Sequence, residues 1–335
     1  MTTTSIRPAD LDAAPAPAAS GGTVREDLTF TVRPAAAPET EWRLRGELLI
    51  PEQGSDTVQV LLAGLTYDRR YWTVPGAYDY AAHMLAAGYA VLLLDRLGTG
   101  ASSRPAAVDV TVDSNVETIH HVIQELRSGT PAGHSFAKVV SVGHSFGSGL
   151  AIVEAARHAD VDALVVTGML HTTAPLYDEV INFFHPGAED PVIADPDLPQ
   201  WYMTQRPGLR ARMLEHAQGI DPELSAHDEL IKATATLGEG ESLPQTYLPE
   251  YSLAVKVPVL LVVGEHDALF SSADVGFAAD SAAVHAFEEG FYGPEAELET
   301  HVIPATGHSL NVHRTAPEAY AITSRWLNRK LSASA

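Results

Sequence analysis

One stretch constrains this chain more than any other: Lys138 to Arg157, KVVSVGHSFGSGLAIVEAAR. It reads as a short buried strand, a sharp turn at Gly143-His144-Ser145-Phe146-Gly147, and a helix. A serine on such a turn leaves the regular backbone with its hydroxyl beyond the sheet edge. The helix that follows aims its free N–H groups at the same place. That suits a nucleophile whose attack creates an oxyanion. With 25 glycines in 335 residues the pentapeptide can arise by chance, so alone it is a weak signal and its context must carry the argument. A near-copy supplies the contrast. Gly133-His134-Ser135-Phe136-Ala137 precedes a strand instead of following one, and has Ala137 where the turn needs a glycine, so Ser135 reads as a loop serine.

The surrounding pattern is that of a parallel sheet. Val24 to Val32 and Trp42 to Ile50 alternate apolar and polar residues, as an antiparallel pair at a sheet edge does. Thr57 to Ala63, Tyr89 to Leu94, Lys138 to Val142 and Val161 to Thr167 are near-continuous apolar runs, separated by helical stretches at Tyr78–Ala87 and Asp113–Arg127. Such runs mark strands covered on both faces. The rhythm breaks from 171 to 250, a segment rich in proline, aromatics and acids, with helical pieces at Leu209–Ala217 and His227–Ala235. It returns with a strand at Pro258–Val263, a helix near Ser272–His285, a strand at Leu298–Ile303 and a helix at Pro317–Leu331. The expected organisation is a disordered tail over 1–22, an α/β core over 23–170 and 251–335, and a mainly helical cap inserted over 171–250, at the strand ends where open α/β sheets bind ligands.

Bulk properties bound the function. A net charge of −22 over 335 residues disfavours nucleic acid and anionic membrane surfaces as partners. The absence of cysteine removes disulfides, thiolate chemistry and cysteine-ligated zinc. No apolar run reaches the length of a membrane span, and no basic region followed by an apolar segment opens the chain. The expectation is a cytoplasmic protein. Oligomeric state leaves no mark on the sequence.

A serine hydroxyl needs a base, and the base an orienting acid. The strand at 258–263 runs into Gly264-Glu265-His266-Asp267, and the strand at 298–303 into Thr306-Gly307-His308-Ser309. Asp267 and His308 therefore stand in loops after sheet strands, as Ser145 does, in the order Ser, Asp, His. Glu265 is the rival acid but sits closer to its strand. Most of the 15 histidines read as structural or exposed: His144 as a neighbour of the serine, His120-His121 within a helix, His266 in the acid loop. No pair has a helical metal-ligand spacing, and no metal or cofactor is expected. Tyr67, Tyr71 and Trp72, with Phe183, Phe184, Trp201 and Tyr202 of the cap, either pack cap onto core or line an apolar substrate pocket.

Taken together, the Gly143–Gly147 turn, the GEHD and GHS loops and the Asp95-x-x-Gly98-x-Gly100-x-Ser102 turn resemble the α/β-hydrolase superfamily, over about residues 24–331. Ser145 holds the position that aspartate takes in the epoxide hydrolase and dehalogenase branches, which places the chain on the serine branch. The resemblance implies an α/β-hydrolase fold, Ser145 as nucleophile, Asp267 as acid and His308 as base. It also implies oxyanion donors at the Phe146 N–H and at a loop after an early strand. That loop commonly reads His-Gly-x but here reads Ala63-Gly64-Leu65, which points to the Leu65 N–H, with Thr66 as the alternative. The segment Leu65 to Trp72, with Asp95 to Gly100, looks like a group of microbial hydrolases. The expected activity is hydrolysis of a hydrophobic small-molecule ester or lactone. Alternatives are a perhydrolase or cofactor-free haloperoxidase, a thioesterase or cyclising enzyme of secondary metabolism, and a ligand-sensing protein on the same fold.

Overall fold

A computed structural model describes residues 22–35, 37–130, 133–270, 276–277 and 280–332. The tail expected over 1–22 lies outside these apart from Gly22, as does much of the Ser272–His285 stretch.

The strands are β1 (Thr23–Val32), β2 (Trp42–Pro51), β3 (Thr57–Leu62), β4 (Ala90–Leu94), β5 (Lys138–His144), β6 (Ala163–Thr167), β7 (Phe184–Pro186), β8 (Tyr202–Gln205), β9 (Ala235–Thr236), β10 (Val259–Gly264) and β11 (Glu299–Ile303). Eight of them form one sheet in the order β1-β2-β4-β3-β5-β6-β10-β11. β2 pairs antiparallel with β1 and β4, and every other pairing is parallel. The inner strands are covered on both faces: every residue of β3, β4 and β10 is buried. This is why they read as near-continuous apolar runs, whereas β1 shows the alternation of an edge strand.

The first helices of the core are α1 (Tyr80–Ala86), α2 (Val112–Ser128) and α3 (Phe146–His158). The chain moves one way across the sheet from β3 to β4, and back the other way from β4 to β5. Right-handed crossovers then put α1 and α2 on opposite faces. The reversal makes β3 and β5 neighbours whose following loops diverge, which is the topological switch point where such sheets bind ligands. Leu62 pairs with Gly143, so the loop after β3 and the turn after β5 emerge side by side.

The turn after β5 owes its sharpness to two glycines. A Cβ on Gly147 would lie 2.1 Å from the Leu62 carbonyl oxygen, and one on Gly143 2.3 Å from Ser148 Cα. Neither distance is compatible with a side chain. At α2, Thr111 and Ser114 form a reciprocal capping box at the start and Gly129 closes the end in a left-handed conformation.

Between β6 and β10 lie α4 (Arg210–Leu214), α5 (Pro222–Leu230), α6 (Leu237–Ser242) and α7 (Pro249–Ala254). The segment also holds β7, β8 and β9, a small antiparallel sheet of its own that sequence reasoning did not foresee. Strands of two to four residues carry no readable alternation. The helix expected at His227–Ala235 is observed earlier, as α5, which starts at Pro222 because proline suits a first helical turn. α8 (Ser281–Glu288) and α9 (Ala316–Ser332) complete the chain, and α9 packs against α1.

Candidate active site

Ser145 joins β5 to α3 with φ 54° and ψ −121°. A non-glycine residue there is strained by about 1–3 kcal/mol, and persists only where its neighbours over-determine it. Here the Ser145 N–H donates to the Thr167 carbonyl at 2.8 Å, and its carbonyl accepts from Ser148 and Gly149 N–H at 2.9 and 3.2 Å. From Val139 to Ala155 every residue except Ser145 is buried, so the turn presents this one side chain. Phe146, the first residue of α3, has no intrahelical acceptor for its N–H, which adds to the positive end of the helix beside the serine. Ser135 lies exposed in the loop before β5.

Asp267 and His308 meet. His308 Nδ1 lies 2.9 Å from Asp267 Oδ2, with both side chains almost wholly buried. The other carboxylate oxygen accepts from the Leu269 and Phe270 N–H at 2.9 and 3.2 Å. A carboxylate only accepts, so it fixes the proton on Nδ1 and leaves Nε2 as the basic nitrogen. Glu265 is committed elsewhere: its Oε2 accepts from the Ala305 N–H at 2.9 Å. The base loop is tied by His313, which lies inside it. Its Nε2 accepts from the N–H groups of His216 and Gly307, at 2.9 and 3.0 Å, and its Nδ1 donates to the Ser309 carbonyl at 2.8 Å. Burial pushes the His313 imidazole down to about 4, so it stays neutral in this role.

The loop after β3 runs against the serine. A Cβ on Gly64 would come within 3.0 Å of Ser145 Cβ. Leu65 is partly exposed, whereas Thr66, at φ 60°, is buried. No histidine precedes Gly64, and two buried arginines hold the loop instead. Arg96, from the turn after β4, donates to the Ala63 carbonyl at 2.9 Å and to the Gly64 carbonyl at 3.1 Å. It pairs with Glu239 of α6 and lies over the Phe146 ring, 5.2 Å from its centroid. Arg210 of α4 reaches Thr66 Oγ1 at 3.1 Å, pairs with Asp228 of α5 at 2.6 Å, and stacks on Tyr67 at 4.1 Å. The Tyr67 hydroxyl bridges Asp228 (2.5 Å) and Ser309 (2.7 Å), the residue after His308. The 171–250 segment thus grips the β3 loop and the base loop through buried ionic groups.

His144 fills the space behind the serine. Its ring stacks on Tyr71 at 4.5 Å and lies 4.9 Å from that of His308. Burial, then the charges of His308 and Arg210, hold its pKa well below the usual histidine range.

The expected aromatic lining divides. Tyr67 and Tyr71 stand beside His144, with Trp72 packed behind them against Tyr80. Phe183 is buried under Arg212, and Phe184 pairs with Gln205 in the small sheet. Tyr202 follows the packing alternative: it packs with Ala107 and Leu198 and donates to the Pro105 carbonyl at 2.8 Å, at the turn after β4. Trp201, just before β8, is 52% exposed. The strand β8 fixes the direction of Tyr202, which aromatic character alone does not reveal. The ring of Phe270 lies 5.7 Å from His308, with Tyr177 and Tyr247 around it. Sequence reasoning did not single out Phe270, which follows the acid loop, and Arg96, Arg210, Asp228 and Glu239 gave no periodic or spacing signal.

Among the described residues, one group of side chains has metal-ligand proximity: His120, Glu154 and Asp160. Glu154 and Asp160 lie at the far end of α3 from Ser145.

The model of the alpha/beta hydrolase family matches residues 59–322, and the chain belongs to that family. Comparison with curated proteins returns no match. Similar solved structures include a putative lipase from Acinetobacter baumannii, with 11% identity, 92% of this chain and 93% of that one covered, and a TM-score of 0.61. A thermophilic esterase from Thermogutta terrifontis shares 17% identity, with 91% and 99% covered and a TM-score of 0.59. A monoglyceride lipase from Saccharomyces cerevisiae shares 15%, with 86% and 92% covered and a TM-score of 0.61. No helix of the described residues is long and apolar enough to cross a membrane.

Proposed function

We propose that this protein is a serine hydrolase that cleaves a carboxylic ester or lactone of a hydrophobic small molecule. The observation that carries this reading is the buried Asp267–His308 pair at 2.9 Å, on the same sheet edge as a strained, outward-presented Ser145. The esterases and lipases among the similar structures support it.

In the proposed reaction His308 Nε2 takes the Ser145 hydroxyl proton as Oγ attacks the acyl carbon. The Phe146 and Leu65 N–H groups receive the oxyanion, each contributing about 3 kcal/mol to the transition state. Asp267 holds the imidazole in its tautomer and stabilises the imidazolium. His308 then returns the proton to the leaving alcohol, and a water activated by the same nitrogen hydrolyses the acyl-enzyme. Residues 171–250 act as the cap, with Tyr71 and Phe270 forming apolar surface near the base.

A panel of p-nitrophenyl esters and lactones, run on the wild type and on Ser145→Ala, tests the reading. Ser145→Ala should lose activity by roughly 10⁴-fold or more while keeping its circular dichroism spectrum. A fluorophosphonate probe should label the wild type alone. Undiminished turnover by Ser145→Ala would overturn the assignment, and so would failure of the wild type to label.

A further inference from the structure

We propose that His120, Glu154 and Asp160 form a structural binding site for a divalent cation of the zinc class, which clamps the far end of α3 to α2. The site is independent of the esterase reading. It lies at the opposite end of α3 from Ser145, a helix of 13 residues and so about 20 Å long.

The geometry comes from three separate segments. His120 projects from α2, Glu154 from the last turns of α3, and Asp160 from the connection to β6. One ligand atom from each lies within 4.8 Å of the other two. His120 Nδ1 is 2.7 Å from Asp160 Oδ2 and 3.7 Å from Glu154 Oε1. The surroundings hold these groups in place. Ala159, at φ 51°, ends α3 in a left-handed turn that delivers Asp160. Arg127 donates to the Asp160 carbonyl at 2.7 and 2.8 Å. Gln124 donates to Asp160 Oδ2 at 2.7 Å, and the ring of His158 stacks on His120 at 3.8 Å.

Glu154 points to a ligand. Its side chain is wholly buried, yet neither carboxylate oxygen has a hydrogen-bond donor, and Asp160 Oδ1 has none either. Buried polar atoms are almost always paired, and a buried carboxylate without donors is among the most costly exceptions. A dipositive ion would satisfy these free oxygens. One imidazole with two carboxylates balances a 2+ charge and suits zinc better than magnesium or calcium, which favour all-oxygen sites. His120 is 33% exposed, so solvent can complete a tetrahedral shell. The spacing of histidines along one helix hides such a site, because its ligands meet only when α2 packs on α3.

The competing arrangement is a carboxylic acid pair in which Glu154 stays protonated and shares its proton with Asp160. Zinc titration of the chelator-treated full chain separates the two. The expected result is one tight equivalent of Zn²⁺ by calorimetry and a Tm that rises with zinc concentration. Affinity should fall at least tenfold in both Glu154→Gln and His120→Ala, and Mg²⁺ should bind far more weakly. Turnover of an ester substrate should not change with chelator or in either variant. Absence of a tight equivalent in the wild type would overturn the proposal. So would unchanged affinity in the variants, which would locate binding at other histidines. If Glu154→Gln does not fold, His120→Ala, altered at a partly exposed helix position, decides alone.

Discussion

A serine at φ 54° needs its neighbours to hold it, and three backbone hydrogen bonds from Thr167, Ser148 and Gly149 do so. The same conformation lifts the side chain out of an otherwise buried run. Asp267 and His308 show how the partner groups are prepared. The carboxylate has three donors, two of them backbone N–H groups that lock its own loop. Asp267→Asn should keep this shape but favour the wrong imidazole tautomer, because an amide can donate to Nδ1. We expect kcat on a p-nitrophenyl ester to fall by about 10⁴ with little change in stability. A fall below tenfold would remove Asp267 from the acid role. Both residues stood out in the sequence as candidates because each lies in a short loop directly after an apolar strand. The direction of a side chain such as Tyr202 was not legible, since it depends on which neighbour its strand packs against.

At the scale of elements, the β5–α3 crossing rests on close backbone approach. Gly147→Ala would drive a methyl into the Leu62 carbonyl, at 2.1 Å, and no flexible side chain can yield there. The expected loss is about 3 kcal/mol or more, measured as a fall in the urea midpoint at unchanged slope. A midpoint within error of the wild type would show that α3 and the end of β3 can move apart. The contact between the core and the 171–250 segment has a different character. Arg210 and Asp228 are both buried, and they tie Thr66, Tyr67 and Ser309 into one network. Truncation at Asp228 strands a buried guanidinium, so Asp228→Ala should cost about 3–5 kcal/mol. Replacing both partners together, as in Arg210→Met with Asp228→Leu, should recover most of that loss while leaving ester turnover impaired, because Thr66 and Ser309 lose their support. Equal losses in the single and double variants, read by urea unfolding, would refute an ionic origin.

For the whole molecule, buried neutral histidines set an acid limit. His144 and His313 are both held below the usual histidine range by burial. In the unfolded chain each takes up its proton near pH 6.5, whereas folded His313 does so only near 4. Between these values the unfolded state binds more protons, so stability falls as pH drops from about 6.5 to about 4, and the contribution from His313 levels off below that. Urea midpoints measured across this window should decline, and His313→Gln should flatten part of the slope. A wild-type midpoint unchanged from pH 7 to pH 5 would contradict this.

Local sequence determined a good deal of this protein. Apolar runs, their lengths and the turns between them specify a mostly parallel sheet and its helices, because a strand covered on both faces is apolar along most of its length. The same local order placed Ser145, Asp267 and His308 after strands, since a residue's position relative to a strand end depends only on the chain around it. Tertiary structure decided what distant segments do to each other. The strand reversal that sets Gly64 beside Ser145, the arginines of the β4 turn and of α4 that hold that loop, and the small sheet in the 171–250 segment all depend on contacts between residues far apart in sequence. A buried ion pair leaves no period in the sequence, because each partner, taken alone, looks like a surface charge.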